Sequence, residues 1–182
     1  MNRDQDFIFI LNKCKDGNRR YQERIYSNYY SLIFKTCLRY TSDNNTSLDY
    51  TQDIFIRIFN KLNEFRGESY KSFGAWIKLI AITYCIDQYR KSKAAKTIKI
   101  CNNYDNINQI ADDQSELEFE EPDVIKAIRT LTPQYRNVLN MYIIEDMSHE
   151  DIANKLGISV GTSKSNLHRA RKNLKIQLDK IQ

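Results

Sequence analysis

The stretch Leu131–Leu178, LTPQYRNVLNMYIIEDMSHEDIANKLGISVGTSKSNLHRARKNLKIQL, decides how this chain is read. Ser148 stands where a helix N-cap belongs, with Asp151 three residues on. This is a weaker form of the capping box, in which side-chain oxygens satisfy the free N–H groups of a first helical turn. Ile152, Ala153 and Leu156 then fall on one helical face. Gly157 suits the left-handed conformation that ends a helix, and Ser159 can cap the next one. The pattern is a helix–turn–helix.

The second helix of the pair can be read by angle, at about 100° per residue. Val160, Leu167, Ala170, Leu174, Leu178 and Ile181 gather on one side. Ser165, His168, Arg169 and Lys172 gather opposite, with Gly161 and Thr162 near the start and Lys164 and Asn166 on the flanks. A helix packed through one stripe, with cations and small polar groups on the other, is suited to a DNA major groove. Its early residues would meet base edges, and its later Arg and Lys would meet phosphates. A solvated face on an ordinary amphipathic helix is the plainer reading. The capped short helix and glycine turn before it favour DNA binding.

Charge extends the argument to the rest of the chain. The net charge is +5, but residues 1–99 carry 18 Lys and Arg against 10 Asp and Glu. Residues 100–122 carry seven acids and no base, and residues 123–182 carry ten bases against six acids. Two basic blocks around an acidic segment fit two nucleic-acid-facing modules and a connector. Cys14, Cys37, Cys85 and Cys101 lie far apart with no CxxC, and only two His occur. That spacing argues against structural zinc and a disulfide framework, and it fits a reducing cytoplasm. Asp4 and Asp6 precede the short apolar run Phe7–Leu11, which excludes a secretory signal. The longest apolar stretch, Phe73–Ile86, is interrupted by Lys78 and too short to span a bilayer, so no membrane insertion is expected.

Helical periodicity predicts helices near 5–15, 18–41, 48–62, 71–91, 123–130, 133–144, 148–156 and 160–180, and no strand pattern. The fold class expected is all-α. Two small helical domains, 1–96 and 123–182, are joined by a flexible acidic linker, 97–122, and the second contains the helix–turn–helix. Thr41–Ser47 reads as a polar loop, and Ala94–Pro122 as an extended tether rich in Asn, Asp and Glu.

Two features of the first domain stand out. On the helix from Asp49 to Leu62, Ile54, Phe55, Ile58, Phe59 and Leu62 form the buried stripe, while Asp49, Gln52, Asp53 and Asn60 form a polar face. Ile56 lands in the middle of that face. A lone exposed Ile is normal in any protein, yet an apolar residue ringed by polar ones is also how a small protein-binding patch looks. Further on, Tyr70, Phe73, Trp76, Tyr84 and Tyr89 are interleaved with Arg66, Lys71, Lys78, Arg90, Lys91 and Lys93. Aromatics among cations suit a single-stranded nucleic acid, with bases on rings and phosphates on cations. The recurrence of Phe73, Trp76, Ile80 and Tyr84 at three or four residues places most of them in the core, and the basic cluster from Arg90 to Lys96 can simply complement a helix dipole.

With both modules on the page, the chain resembles the extracytoplasmic-function sigma factors, the small two-domain specificity subunits of bacterial RNA polymerase. The resemblance covers nearly the whole chain. It rests on Asp49-x-x-Gln52-Asp53-x-Phe55, Phe65-Arg66-Gly67-Glu68-Ser69, Phe73-x-Ala75-Trp76-x-x-x-Ile80-Ala81 and Asp87-x-x-Arg90. In the second half it rests on Leu131-x-Pro133-x-Tyr135-Arg136, Ile152-Ala153-x-x-Leu156-Gly157-Ile158-Ser159-Val160-Gly161-Thr162 and Leu167-His168-Arg169-Ala170-Arg171.

The resemblance implies roles. Asp49, Gln52, Asp53 and Ile56 would dock on the clamp helices of the polymerase's largest subunit. Arg66, Glu68, Ser69, Lys71, Trp76, Thr83, Asp87 and Arg90 would capture the melted −10 strand. Gly161, Thr162, Lys164, Ser165, Asn166, His168, Arg169 and Lys172 would read the −35 duplex, and the acidic linker would thread toward the RNA exit path. An anti-sigma factor is a further implied partner. The chain departs from the family's usual residues at Thr83, where Asn is common, and at Ser163 and Asn166, where Val and Arg are usual. Ser163 falls on the packed side, where a hydroxyl can bond back to an earlier carbonyl.

The expected function is therefore a transcription initiation subunit rather than an enzyme. No nucleophile–base pair or metal set is visible, no metal or cofactor is expected, and catalysis would belong to the polymerase. A stand-alone helix–turn–helix regulator would leave the Asp49–Phe55 face and the aromatic–basic helix unexplained. A helical adaptor that binds no nucleic acid would leave Arg169, Arg171 and Lys172 unexplained.

Overall fold

A computed structural model describes residues 3–102 and 122–180. Its elements are α1 (Arg3–Lys15), α2 (Arg19–Tyr40), α3 (Asn44–Asn60), a short 3-10 turn (Leu62–Glu64), α4 (Tyr70–Asn102), α5 (Asp123–Arg129), α6 (Pro133–Leu139), α7 (His149–Leu156) and α8 (Val160–Leu178). A π-helical turn, Asn140–Ile144, continues α6. No strand occurs among the described residues, and none of their helices is long and apolar enough to cross a membrane. Contacts divide the chain into two units, Met1–Cys37 with Ser47–Tyr84, and Leu38–Thr46 with Cys85–Gln182.

The first unit is built on aromatic side chains. Phe73, fully buried on α4, meets Phe7 of α1, Tyr29 of α2 and Phe65 of the loop before α4, at ring-centroid distances of 5.3, 5.2 and 5.1 Å. Tyr70 stacks on Tyr29 at 5.1 Å. Ile54, Phe55 and Ile58 of α3 and Ile77 and Ala81 of α4 complete the core, the spacing of three and four expected of packed helices. The sequence reading of Phe73 and Tyr84 as core rings holds, while Trp76 and Ile80 of the same recurrence are half-buried. The start of α4 is tied down twice, because Ser69 and Ser72 cap one another and the Tyr70 N–H donates to Asp4 Oδ1 of α1 at 3.1 Å.

Two boundaries differ from the sequence reading. α3 begins at Asn44 rather than near 48, because Asp43 accepts from both the N–H and the hydroxyl of Thr46 at 2.7 and 2.8 Å. The polar stretch taken for a loop is a helix N-cap and first turn. α4 runs on to Asn102, so the expected tether is helical at its start. The remaining acidic residues of the expected linker, among them Asp112, Asp113, Glu116 and Glu118, lie outside the described residues.

In the second unit Ile128, Leu131, Val138, Leu139, Met141, Ile152, Leu156, Leu167 and Ala170 form an apolar core. Arg136 is buried there, and its guanidinium donates to the backbone carbonyls of Thr41 and Arg129. The Asn140 amide donates to the carbonyl of Arg39. The α6 helix loses its regular ladder through the π turn, and Asp146 then takes a left-handed φ of 51°. Asp tolerates that conformation better than most residues, and it redirects the chain into α7.

Candidate partner and nucleic-acid interfaces

The helix–turn–helix forms as its local chemistry dictates. The Asp151 N–H donates to Ser148 Oγ at 3.1 Å, and Ser148 Oγ donates to the Asp151 carboxylate at 2.7 Å. Gly157 ends α7 at φ 60° and ψ 50°, with the Ile158 N–H on the Ala153 carbonyl. Ser159 caps α8 by accepting from the Thr162 N–H at 3.0 Å. Between the two capped helices sits a three-residue turn, residues 157–159, which fixes how α8 is presented.

On α8, Gly161, Lys164, Ser165, His168, Arg169 and Lys172 are exposed and Thr162 is half-buried. Ser163, Asn166, Leu167 and Ala170 are buried on the other side. Asn166, expected among the groove contacts, lies on this buried side. Only 3% of it is accessible, because the packed arc of α8 is wider than its apolar stripe. The partner of Ser163 also differs from the carbonyl expected, since its hydroxyl lies 2.9 Å from His149 Nδ1 of α7. Tyr142 stacks on that imidazole at 4.6 Å, and the Arg171 guanidinium sits 5.7 Å from the Tyr142 ring centroid. These groups lock α7 to the recognition helix through polar and ring contacts that sequence alone did not reveal.

The second surface belongs to α4 and the loop before it. Trp76, Leu79, Thr83, Asp87 and Arg90 follow at intervals of three and four and so share one stripe. Leu79, Thr83 and Arg90 are exposed, and Trp76 and Asp87 are half-buried. Trp76 packs against Phe65 at 5.3 Å and Phe73 at 5.6 Å and stays half-buried. Arg66, Glu68 and Lys71 are exposed near the helix start. Ser69 is not a free hydroxyl, because it forms the cap with Ser72. The sequence reading missed Leu79, an apolar side chain 58% exposed within this stripe. Of the other rings, Tyr84 is buried, and burial raises the phenol pKa of half-buried Tyr89.

The third surface is the polar side of α3. Asp49, Gln52, Asp53 and Ile56 are all exposed, Ile56 at 58%. Asp53 is held from behind, since its Oδ2 accepts a hydrogen bond from the Tyr84 hydroxyl of α4. The Arg57 guanidinium lies 4.5 Å from the centroid of the same Tyr84 ring.

Known proteins are similar to this chain along most of its length. Residues 25–95 match the family model "Sigma-70 region 2" and residues 123–174 match "Sigma-70, region 4". The chain is 32% identical over 162 residues to RNA polymerase sigma factor YlaC of Bacillus subtilis (strain 168), covering 87% of this chain and 92% of that protein. The chain belongs to the extracytoplasmic-function sigma factors. A second relative, the sigma factor SigW of the same organism, is 26% identical with 92% of this chain and 94% of that one covered. Among solved structures, a sigma factor RpoE crystallised with the anti-sigma factor NepR from Bartonella quintana is similar at 21% identity. Its TM-score is 0.49, over 86% of this chain and 96% of that one. The region 2 match contains every residue of the α3 and α4 surfaces, and the region 4 match contains every exposed α8 residue named above.

Proposed function

We propose that this sigma factor divides its work among the three surfaces. The domain from residue 1 to 96 carries polymerase docking on Asp49, Gln52, Asp53 and Ile56. The same domain carries capture of the melted −10 strand on Arg66, Glu68, Lys71, Trp76, Thr83, Asp87 and Arg90. The domain from 123 to 182 reads the −35 duplex through Gly161, Thr162, Lys164, Ser165, His168, Arg169 and Lys172, and residues 97–122 span between them. The protein is non-catalytic and cytoplasmic. Core polymerase performs the chemistry, and an anti-sigma factor is the partner that would mask these exposed faces.

The observation that carries this reading is the division of α8. Its cations and small polar groups are exposed together, while its apolar residues pack on α7 and α6. Exposed Arg169 and Lys172, one turn apart, suit phosphates, and Lys164 and Ser165 nearer the N-terminus suit base edges. The test is reconstituted transcription with core polymerase on a randomised promoter library. Transcripts should require both proteins and come from templates sharing an upstream and a −10 element. Tight sequence-specific binding of the protein alone as a dimer, with no polymerase-dependent transcript, would replace this reading with that of a stand-alone regulator.

A further inference from the structure

Tyr84 sits where an apolar side chain would fill the space. It is 2% exposed on the packed side of α4, among Ile77, Ala81 and Cys85. A phenol in such a place needs a partner for its hydroxyl, since an unsatisfied buried donor is costly. Its hydroxyl donates to the carboxylate of Asp53, an exposed residue on the polar side of α3.

The contacts around this ring follow one row of α3. Tyr50 meets the Tyr84 ring edge-on at 5.2 Å and 79°, Asp53 accepts a hydrogen bond from its hydroxyl, and Arg57 lies over its face at 4.5 Å. The three are separated by three and four residues, so one buried ring on α4 organises a full two turns of α3. Asp53 and Arg57 are opposite charges one turn apart on an exposed surface. Left to solvent, both would sample several rotamers, and a partner would have to order them. Tyr84 orders them in advance. A hydrogen bond to an ionised acceptor is also among the stronger ones available to it.

We propose that Tyr84 is a positioning residue for polymerase docking. Its hydroxyl fixes the Asp53 carboxylate, and its ring fixes Arg57, so that α3 meets the polymerase with both charges already in place. Arg57 thereby joins the docking face. This rests on the assignment of the Asp49–Ile56 surface to polymerase.

The experiment uses the full chain and core RNA polymerase, with affinity read by fluorescence anisotropy for Tyr84→Phe, Asp53→Ala and the double variant. Tyr84→Phe keeps the ring, the Tyr50 contact and the Arg57 stack and removes only the hydroxyl. It should raise Kd about three- to tenfold, the size expected from losing the preorganisation of one charged side chain. Helicity and binding of a −35 duplex should not change. In the Asp53→Ala background the same substitution should change Kd by less than about 1.5-fold, because its effect runs through that carboxylate. A merely structural role would leave the two effects multiplicative, which overturns the inference. So does an unchanged Kd for Tyr84→Phe alongside a weakened Asp53→Ala. If Asp53→Ala itself binds as tightly as the parent, the docking assignment fails and the inference with it.

Discussion

Replacing Gly67 with alanine should loosen the loop that leads into α4. A Cβ at this position would lie 2.5 and 2.8 Å from Phe65 Cζ and Cε2 and 2.6 Å from Ser72 Oγ, far inside contact distance. Neither neighbour can yield freely. The Phe65 ring is 5% exposed and wedged against Phe73 and Trp76 at 5.1 and 5.3 Å. Ser72 is engaged with Ser69 in the cap that starts α4. Overpacking of this kind costs about 1–3 kcal/mol. A disturbed cap adds about 1 kcal/mol. The sum, about 2–4 kcal/mol, should lower the melting midpoint by at least about 8 °C in a domain this small. Circular dichroism measures the midpoint. Trp76 is the single tryptophan of the chain and packs on the displaced ring, so its emission should shift at the same time. A midpoint within about 2 °C of the parent, with unshifted emission, would refute the claim that only glycine fits here.

Three further outcomes are expected. Ser163→Ala, which removes the hydroxyl from His149, should destabilise the helix–turn–helix by about 1 kcal/mol in urea titration, and an unchanged midpoint would show the bond contributes nothing. Arg169→Ala or Lys172→Ala should weaken −35 duplex binding across sequences and reduce the slope of log K against log salt by about one, measured by anisotropy at several salt concentrations. Asn166→Ala, a change at a buried position, should leave the preferred duplex sequence as it was when a binding library is selected, whereas Lys164 or Ser165 substitutions should alter it.

Local signals in this chain were legible because their partners are local. Ser148, Gly157 and Ser159 each act within one turn of their own helix, so spacing alone identified the two caps and the turn. The exposure of Ile56 followed from its angle on α3 in the same way. What failed needed the third dimension. The earlier start of α3 is an exception, since the Asp43–Thr46 cap that sets it is local but lies within a stretch of Asp, Asn, Thr and Ser that equally suits a loop. Ser163 found its partner fourteen residues away on α7 and Tyr84 found Asp53 on α3, pairings that no spacing rule reaches. Asn166 lies at the edge of the α8 stripe, where an angle cannot separate a groove contact from a buried flank.

The polar side of α3 is the surface expected to join this protein to RNA polymerase. Gel filtration of an equimolar mixture with core polymerase tests that directly, run beside Ile56→Glu, which places a charge at the centre of the face without touching the core. The parent chain should move entirely into the polymerase fractions, and Ile56→Glu should elute alone with the parent's circular dichroism spectrum. Co-elution of both proteins would remove the α3 face from the interface, and elution of the parent chain apart from polymerase would contradict the central claim.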